Sequence, residues 1–181
     1  ASTHRGHGHC IAKGVDIKPM MAEIFGRRTG SCRGKGGSMH IADLDKGMMG
    51  ANGILGAGAP LACGAALAAR FRGKGEVAIS FVGDGASNQG TFLESLNLAA
   101  VWNLPAIFVV ENNGYAEFSP VETQHAASLE ARAAGYGIGY VAVDGNDVVA
   151  VASVMGDVVA SLRAGGGPVL VEAATYRWHG H

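Results

Sequence analysis

FVGDGASNQG, residues 81–90, joins an apolar run to a polar helix start through an aspartate held between two glycines. One explanation is a tight strand-to-helix turn, in which glycine supplies unusual backbone angles and a small polar residue caps the helix. The other is a ligand site, in which Asp84 faces a cation and the amides that follow face a phosphate. Such turns are common, so this stretch alone leaves both explanations open.

From about residue 54 onward the sequence alternates between strand-like and helix-like patterns. Short apolar runs rich in β-branched residues suit strands that are buried on both faces, whereas longer segments with helical periodicity suit helices. This alternation predicts an α/β fold with a mostly parallel sheet and helices on both faces. The predicted strands are 76–83, 105–113, 140–145 and 168–177, and the predicted helices are 56–73, 87–102 and 147–164.

Two of these helices carry an apolar stripe that should face the sheet. The stripes are Phe92, Leu96, Ala99 and Ala100 in the first, and Val148, Val151, Met155, Val158 and Leu162 in the second.

Residues 1–53 are instead rich in Gly, His and Arg, with one predicted helix near 16–28. Glycine-rich loops of this kind wrap a ligand or form a plain surface. We expect residues 1–181 to form a single domain.

Composition limits the classes of function. The net charge of −1 argues against nucleic-acid binding and against an anionic membrane surface, since both favour a basic excess. Gly, Arg and Asp interrupt every apolar stretch before it reaches membrane-spanning length. Cys10, Cys32 and Cys63 are odd in number and far apart, which favours reduced thiols in a cytoplasmic protein. The chain begins at Ala1 without Met, and we expect the natural polypeptide to continue past His181.

The position of Asp84 favours a ligand site, because ligands of open α/β sheets bind at the carboxyl ends of the strands. A spacer of 26 residues (86–111) separates the GDG motif from Asn112 and Asn113. One helix and one strand have that length, so the spacer should return the asparagines to the same edge of the sheet. Asp84, Asn113 and the Tyr115 carbonyl then offer oxygen ligands for Mg²⁺, which diphosphate and water would complete. The P-loop and dinucleotide fingerprints are absent.

GDG followed by NN at this distance resembles the thiamine diphosphate motif, and the flanking sequence extends the match. GDGASNQGTFLESLNLAAVWNLPAIFVVENNGYA, together with GKGGSMH, GANGILGAG and TYRWHGH, closely resembles the alpha subunit of the dehydrogenase component of 2-oxo acid dehydrogenase complexes. The resemblance runs through essentially all 181 residues. It implies a thiamine diphosphate-binding fold with thiamine diphosphate and Mg²⁺ as cofactors.

The resemblance also implies roles for individual residues. Contacts to the diphosphate fall on Arg5, on His181 and on the GDG turn, and contacts to the aminopyrimidine ring fall on Gly53 and Leu55. His7 and His181 fall where the active site handles protons or donates hydrogen bonds, since imidazole titrates near neutral pH. The implied set is Arg5, Gly53, Leu55, Gly83, Asp84, Gly85, Ala86, Asn113 and His181 for the cofactor, Asp84, Asn113 and Tyr115 for the metal, and His7 and His181 for catalysis.

Plainer alternatives accompany these assignments. Arg5 alone would be a solvated charge, Gly53 and Leu55 an ordinary turn and core, and His7 a structural histidine. His4 departs from the tyrosine that pyruvate-specific relatives place there. The histidines near both ends also suggest a zinc site as an alternative, but no cysteine pairing or HExxH spacing accompanies them. His40 and His179 are weaker candidates for the site, and we expect His125 on the surface. Arg177 suits a role in a site loop and a structural ion pair equally.

The resemblance implies an enzyme subunit that is incomplete by itself. In this family the cofactor carries out carbon–carbon cleavage, while the protein holds it and manages protons. A glutamate on a separate beta subunit activates the aminopyrimidine, and none of the eight glutamates here has that context. We therefore expect an oxidoreductase alpha subunit in an α₂β₂ assembly, which passes its acyl unit to a lipoyl-bearing acyltransferase or to a dye.

The flanking motifs also bear on the small-molecule substrate. STHRGHGHCIAKG and GKGGSMHIADL look most like acetoin dehydrogenase alpha subunits, which predicts cleavage of acetoin to a hydroxyethyl-thiamine intermediate. Pyruvate dehydrogenase is the alternative, because pyruvate yields the same intermediate. A non-catalytic regulatory subunit should have lost some of Asp84, Asn113, Arg5 or His181. A transketolase-like enzyme is a further alternative, against which the TYRWHGH ending speaks.

Overall fold

A computed structural model describes the whole chain, from Ala1 to His181. The chain forms two compact units, Ala1–Gly58 and Ala59–His181. The boundary lies close to residue 54, where the alternation of strand and helix patterns begins in the sequence. That residues 1–181 act as a single domain stays a prediction.

The first unit contains two short helices, α1 (His7–Ala12) and α2 (Ile17–Ile24), and a 3₁₀ turn at Gly37–Met39. Helix α2 confirms the predicted helix near 16–28. Asp16 caps it by accepting a hydrogen bond from the Lys18 N–H at 2.9 Å. The unit has a small core of buried side chains, which are Cys10, Val15, Met20, Ile41 and Met48.

The carboxylate of Glu23, which is fully buried, organises the loop after α2. Its Oε2 accepts hydrogen bonds from the N–H groups of Cys32 and Gly34 at 2.8 and 2.7 Å. Its Oε1 accepts from Gly36 and Gly37 at 2.7 and 3.1 Å. Burial raises the pKa of the Glu23 carboxyl, but the four N–H donors outweigh it and bring the pKa below its usual value. The charged carboxylate therefore holds the loop in place.

The second unit is built on a four-stranded parallel sheet, which confirms the predicted α/β class. All four predicted strands are present, each within three residues of its predicted ends. Their order across the sheet is β1-β2-β6-β5. The strands in chain order are β1 (Ala78–Gly83), β2 (Ala106–Asn112), β3 (Tyr115–Ala116), β4 (Ser119–Pro120), β5 (Gly139–Asp144) and β6 (Val169–Ala174), of which β3 and β4 form a separate hairpin.

Helices cover both faces of this sheet, as predicted. Helices α3 (Gly58–Arg72), α4 (Gly90–Val101) and α5 (Leu129–Gly135) contribute to the core on one face, and α6 (Val148–Arg163) contributes to the core on the other. No helix has the length and apolar character that crossing a membrane requires. All three cysteines are free thiols.

The predicted apolar stripes are only partly confirmed. Phe92, Leu96 and Ala99 of α4 are completely buried. Val148, by contrast, is 78% exposed, and its placement on the buried stripe of α6 is wrong. Val148 is the first residue of α6, and that helix buries its side chains fully only further along, at Val158 and Leu162.

Candidate functional site

The carboxyl ends of β1 and β2 lie side by side at one edge of the sheet. The strand register pairs Gly83 with Glu111, so Asp84 and Asn112 follow neighbouring positions on adjacent strands. Asn112 is in turn paired with Ala174 of β6. The prediction that the 26-residue spacer (86–111) returns the asparagines to the edge that holds the aspartate is therefore confirmed.

The side chain of Asp84 is buried, with 2% of its surface exposed, and its Oδ2 atom has no hydrogen-bond partner. Burial raises the pKa of the Asp84 carboxyl, while the N–H groups of Gly85 and Asp84 and the charges of His125 and Arg177 lower it by less. An unpartnered buried polar atom is costly unless a ligand completes it. A carboxylate oxygen in this state fits a hard cation such as Mg²⁺.

The two glycines of the motif have different reasons for being glycine. A Cβ atom at Gly85 would overlap the Cβ of Ala116 in the β3–β4 hairpin, so close packing requires glycine there. A Cβ atom at Gly83 would meet nothing within 4 Å, so packing inside the protein does not require glycine at that position. Neither residue has a positive φ, so the explanation by unusual backbone angles is wrong. The open space at Gly83 adjoins Asp84 and leaves room for a ligand.

The segment after Asp84 is a separate 3₁₀ helix, Gly85–Asn88, and α4 begins only at Gly90. The predicted helix start at residue 87 is therefore wrong. Gln89 has an extended backbone, with φ −66° and ψ 137°, and this interrupts the helix. The first amides of this 3₁₀ turn, those of Gly85 and Ala86, lie just after the end of β1.

Polar side chains of this 3₁₀ turn and of the later residues His125 and Arg132 hold it in place. Ser87 Oγ donates a hydrogen bond to the Asp84 carbonyl at 2.6 Å, and His125 Nε2 lies 3.1 Å from the same oxygen. Arg132 Nη1 donates to Asn88 Oδ1 at 2.8 Å. His125 is thus partly buried beside the turn, and the expectation that it lies on the surface is wrong. None of these four side chains was assigned a role from the sequence, because the contacts of His125 with Ser87 and of Arg132 with Asn88 join residues far apart in the chain.

The two asparagines each fold back on the chain that follows them. Asn112 Oδ1 accepts a hydrogen bond from the Gly114 N–H at 3.1 Å, and Asn113 Oδ1 accepts one from the Tyr115 N–H at 3.1 Å. Gly114 has φ +80°, a conformation that favours glycine. These bonds shape the tight turn from β2 into the hairpin and fix the backbone on which Asn113 and Tyr115 are carried.

Arg177 contacts the β3–β4 hairpin. Its Nη2 donates to the Glu117 carbonyl at 2.7 Å, and its guanidinium carbon lies 5.8 Å from the centre of the Tyr115 ring. Its partners are a carbonyl and an aromatic ring, so the structure favours the site-loop alternative over a structural ion pair.

The other predicted site residues are distributed over both units. Arg5, His7, Gly53 and Leu55 belong to the first unit, and His181 is the last residue of the second. His7 begins α1 and is partly buried, whereas Arg5, Gly53 and His181 are exposed. Leu55 is 41% exposed, so the alternative that it is a core residue is wrong. The roles of these residues toward a cofactor stay predictions.

The chain contains no group of three or more His, Cys, Asp or Glu side chains that could hold a metal ion. The predicted Mg²⁺ set is of another kind, since it combines the carboxylate of Asp84 with the amide of Asn113 and the carbonyl of Tyr115. Such a set depends on further oxygens from a bound diphosphate.

Comparison with known proteins places these features in a family. The family model described as the dehydrogenase E1 component matches residues 1–181. The chain is 70% identical to the alpha subunit of acetoin:2,6-dichlorophenolindophenol oxidoreductase from Cupriavidus necator, over 100% of this chain and 55% of that protein. It is 61% identical to the protein of the same name from Bacillus subtilis, over 99% and 54% of the two chains.

Two further comparisons are more distant. The identity to the pyruvate dehydrogenase E1 component subunit alpha of Zymomonas mobilis is 45%, over 98% of this chain and 51% of that one. The chain thus spans about half the length of the curated relatives it matches. A solved structure from Mycobacterium smegmatis, described as a thiamin diphosphate-dependent enzyme, aligns with a TM-score of 0.54 and 24% identity over 72% of this chain and 24% of that one. That likeness supports the fold alone.

Proposed function

Because this chain belongs to the dehydrogenase E1 component family, we propose that it is the diphosphate-binding half of a thiamine diphosphate- and Mg²⁺-dependent oxidoreductase. The observation that carries the proposal is the Asp84 carboxylate, which is buried at the end of β1 with one oxygen unpartnered. A cation at this position would supply the missing partner. The open space at Gly83 would admit the anion that the cation anchors.

In this proposal, three groups at the edge of the sheet hold the metal. Asp84 supplies a charged oxygen, Asn113 an amide oxygen and Tyr115 a backbone carbonyl. The amides of Gly85 and Ala86, with Arg5 and His181, would meet the diphosphate, whose charge favours such donors. Gly53 and Leu55 would hold the aminopyrimidine ring through their backbone.

The protein's own contribution is to bind, orient and move protons. When bound, thiamine diphosphate would supply a nucleophilic carbon for addition to a carbonyl and a ring that stores the electron pair of the cleaved bond. His7 and His181 would donate hydrogen bonds or protons to the reacting oxygen, a role that histidine side chains commonly have in general acid–base catalysis. The activating glutamate would come from a beta subunit, in an α₂β₂ assembly that delivers its acyl unit to a lipoyl-bearing acyltransferase.

We propose acetoin as the substrate. Support comes from the two relatives at 70% and 61% identity, both named for acetoin, against 45% for the pyruvate dehydrogenase subunit of Zymomonas mobilis. The physical difference lies in the departing group: pyruvate loses a carboxylate as carbon dioxide, whereas acetoin loses acetaldehyde and needs a group that takes up a hydroxyl proton. A histidine suits that task.

The three free thiols fit a reducing compartment, so we propose that the protein acts in the cytoplasm.

Dye-coupled oxidation by the full-length alpha chain, reconstituted with its beta subunit, tests the proposal. The expected result is a higher kcat/KM for acetoin than for pyruvate at one pH, with no turnover by the alpha chain alone. A preference for pyruvate would replace the substrate and leave the cofactor assignment intact. Turnover by the alpha chain alone would contradict the need for a beta subunit. Turnover of equal rate with and without thiamine diphosphate would contradict the function itself.

A further inference from the structure

A partly buried carboxylate on β6 joins three strands of the sheet through side chains. Glu172 Oε2 accepts a hydrogen bond from the Tyr140 hydroxyl of β5 at 2.6 Å. Its Oε1 accepts one from Asn112 Nδ2, at the end of β2, also at 2.6 Å. The register explains this reach, because Tyr140 is paired with Leu170 and Asn112 with Ala174, the two neighbours of Glu172 on the same face of β6.

The chemistry of Glu172 fixes which way the Asn112 amide points. An ionised carboxylate only accepts hydrogen bonds, so the NH₂ end of the amide must face Glu172. The oxygen end is then turned toward the Gly114 N–H, which donates to it at 3.1 Å. With the amide reversed, its NH₂ would face that N–H and the bond that closes the turn would be lost. The orientation of one amide therefore couples Glu172 to the turn that leaves β2.

Tyr140 completes the arrangement from the other side. Burial raises the pKa of Tyr140 well above its usual value, and the hydrogen bond to Glu172 raises it further. The hydroxyl therefore keeps its proton and donates it to Glu172 Oε2. Glu172 receives one donor on each oxygen, which leaves it little freedom to rotate away from Asn112.

We propose that Glu172 is a positioning residue for the metal and diphosphate site. It acts through Asn112, by holding the turn that presents Asn113 and the Tyr115 carbonyl beside Asp84. The inference rests on the proposed function, and it adds a residue that lies on a different strand from every group assigned to the metal.

The test is calorimetric titration of thiamine diphosphate, with Mg²⁺ in excess, into the full-length alpha chain complexed with its beta subunit. Loss of a charge-assisted hydrogen bond predicts that Glu172→Leu and Asn112→Leu each raise the Kd of the cofactor by about tenfold or more. Because the two side chains act as one unit, the double variant should bind no worse than the weaker single variant. Glu94→Leu, which changes an exposed glutamate of α4 in the same way, is the matched control and should bind as wild type does.

Glu172→Gln separates positioning from structural support. A glutamine keeps its oxygen toward Asn112 and its NH₂ toward the Tyr140 oxygen, so we expect a Kd within about threefold of wild type. Thermal unfolding of the same variants with a chelator present gives the second readout. Multiplicative losses in the double variant, or losses of affinity that simply follow losses of thermal stability, would overturn the inference.

The inference and the proposed function fail in different ways. Metal-dependent binding by wild type together with unchanged binding by Glu172→Leu would sink the positioning role and leave the function standing. A wild-type complex that binds no thiamine diphosphate at all would overturn both.

Discussion

Replacing Asp84 with asparagine should make the metal-free chain more stable while it removes metal-dependent binding of the cofactor. The wild-type carboxylate is buried, with 2% of its surface exposed, and its Oδ2 has no partner. A buried polar group left without a partner costs roughly 1–3 kcal/mol, and more when it is charged. The amide keeps the shape and removes the charge, although its NH₂ would remain unpartnered. The difference predicts a gain of about 1 kcal/mol in the free energy of unfolding.

Urea and thermal unfolding in the presence of a chelator measure this difference directly. For a chain of this size, a gain of about 1 kcal/mol raises the unfolding temperature by about 2–4 °C. Asp157→Asn, which alters an exposed aspartate of α6, serves as the control and should leave stability unchanged. A metal-free Asp84→Asn chain that is clearly less stable than wild type would show that protein groups already satisfy the carboxylate, and the argument for a cation would fail.

Four further substitutions test other parts of the structure. Glu23→Gln should lower stability at neutral pH, because the folded-state pKa of Glu23 is depressed. Its contribution is complete above the ordinary value of 4.5 and is lost as the pH falls through the folded pKa, so the difference between Glu23→Gln and wild type should shrink in acid unfolding curves. Gly85→Ala should destabilise the chain by about 1–3 kcal/mol in urea, through overlap with Ala116, whereas Gly83→Ala should fold normally and weaken cofactor binding in calorimetry. Ser80→Ala should be neutral or stabilising by up to about 1 kcal/mol in the same urea assay, because the buried Ser80 Oγ has no hydrogen-bond partner.

Most of the sheet could be predicted from the sequence, because its signal is local. A buried parallel strand such as 106–112 is a continuous apolar run, and the polar residues after it mark its end. The same logic placed Asp84 and Asn113 at one edge, since the length of the spacer sets where the chain returns. Helix α5 and the β3–β4 hairpin were not predicted, because segments of seven and two residues carry too little periodicity to be recognised.

The supporting side chains of the site could not be predicted for a different reason. Glu172 is one glutamate in an apolar strand, and its partners Tyr140 and Asn112 are 32 and 60 residues away. Glu23 likewise lies on a short helix whose sequence gives no sign of the loop that it binds. Contacts of this kind depend on register and on the path of the chain, which emerge only when the whole sheet is assembled. The burial of Asp84 likewise emerges only in the folded chain, whereas its position at the end of a strand could be predicted from the sequence.

The most direct test of the central proposal is calorimetry of thiamine diphosphate binding to the complex of the full-length alpha chain with its beta subunit. The titration is run with Mg²⁺ and with a chelator, for wild type and for Asp84→Ala. We expect wild type to bind only when Mg²⁺ is present. We expect Asp84→Ala to gain no affinity for the cofactor when Mg²⁺ replaces the chelator. Equal affinity of wild type and Asp84→Ala for the cofactor in Mg²⁺ would contradict the assignment of Asp84 as the residue that anchors the metal.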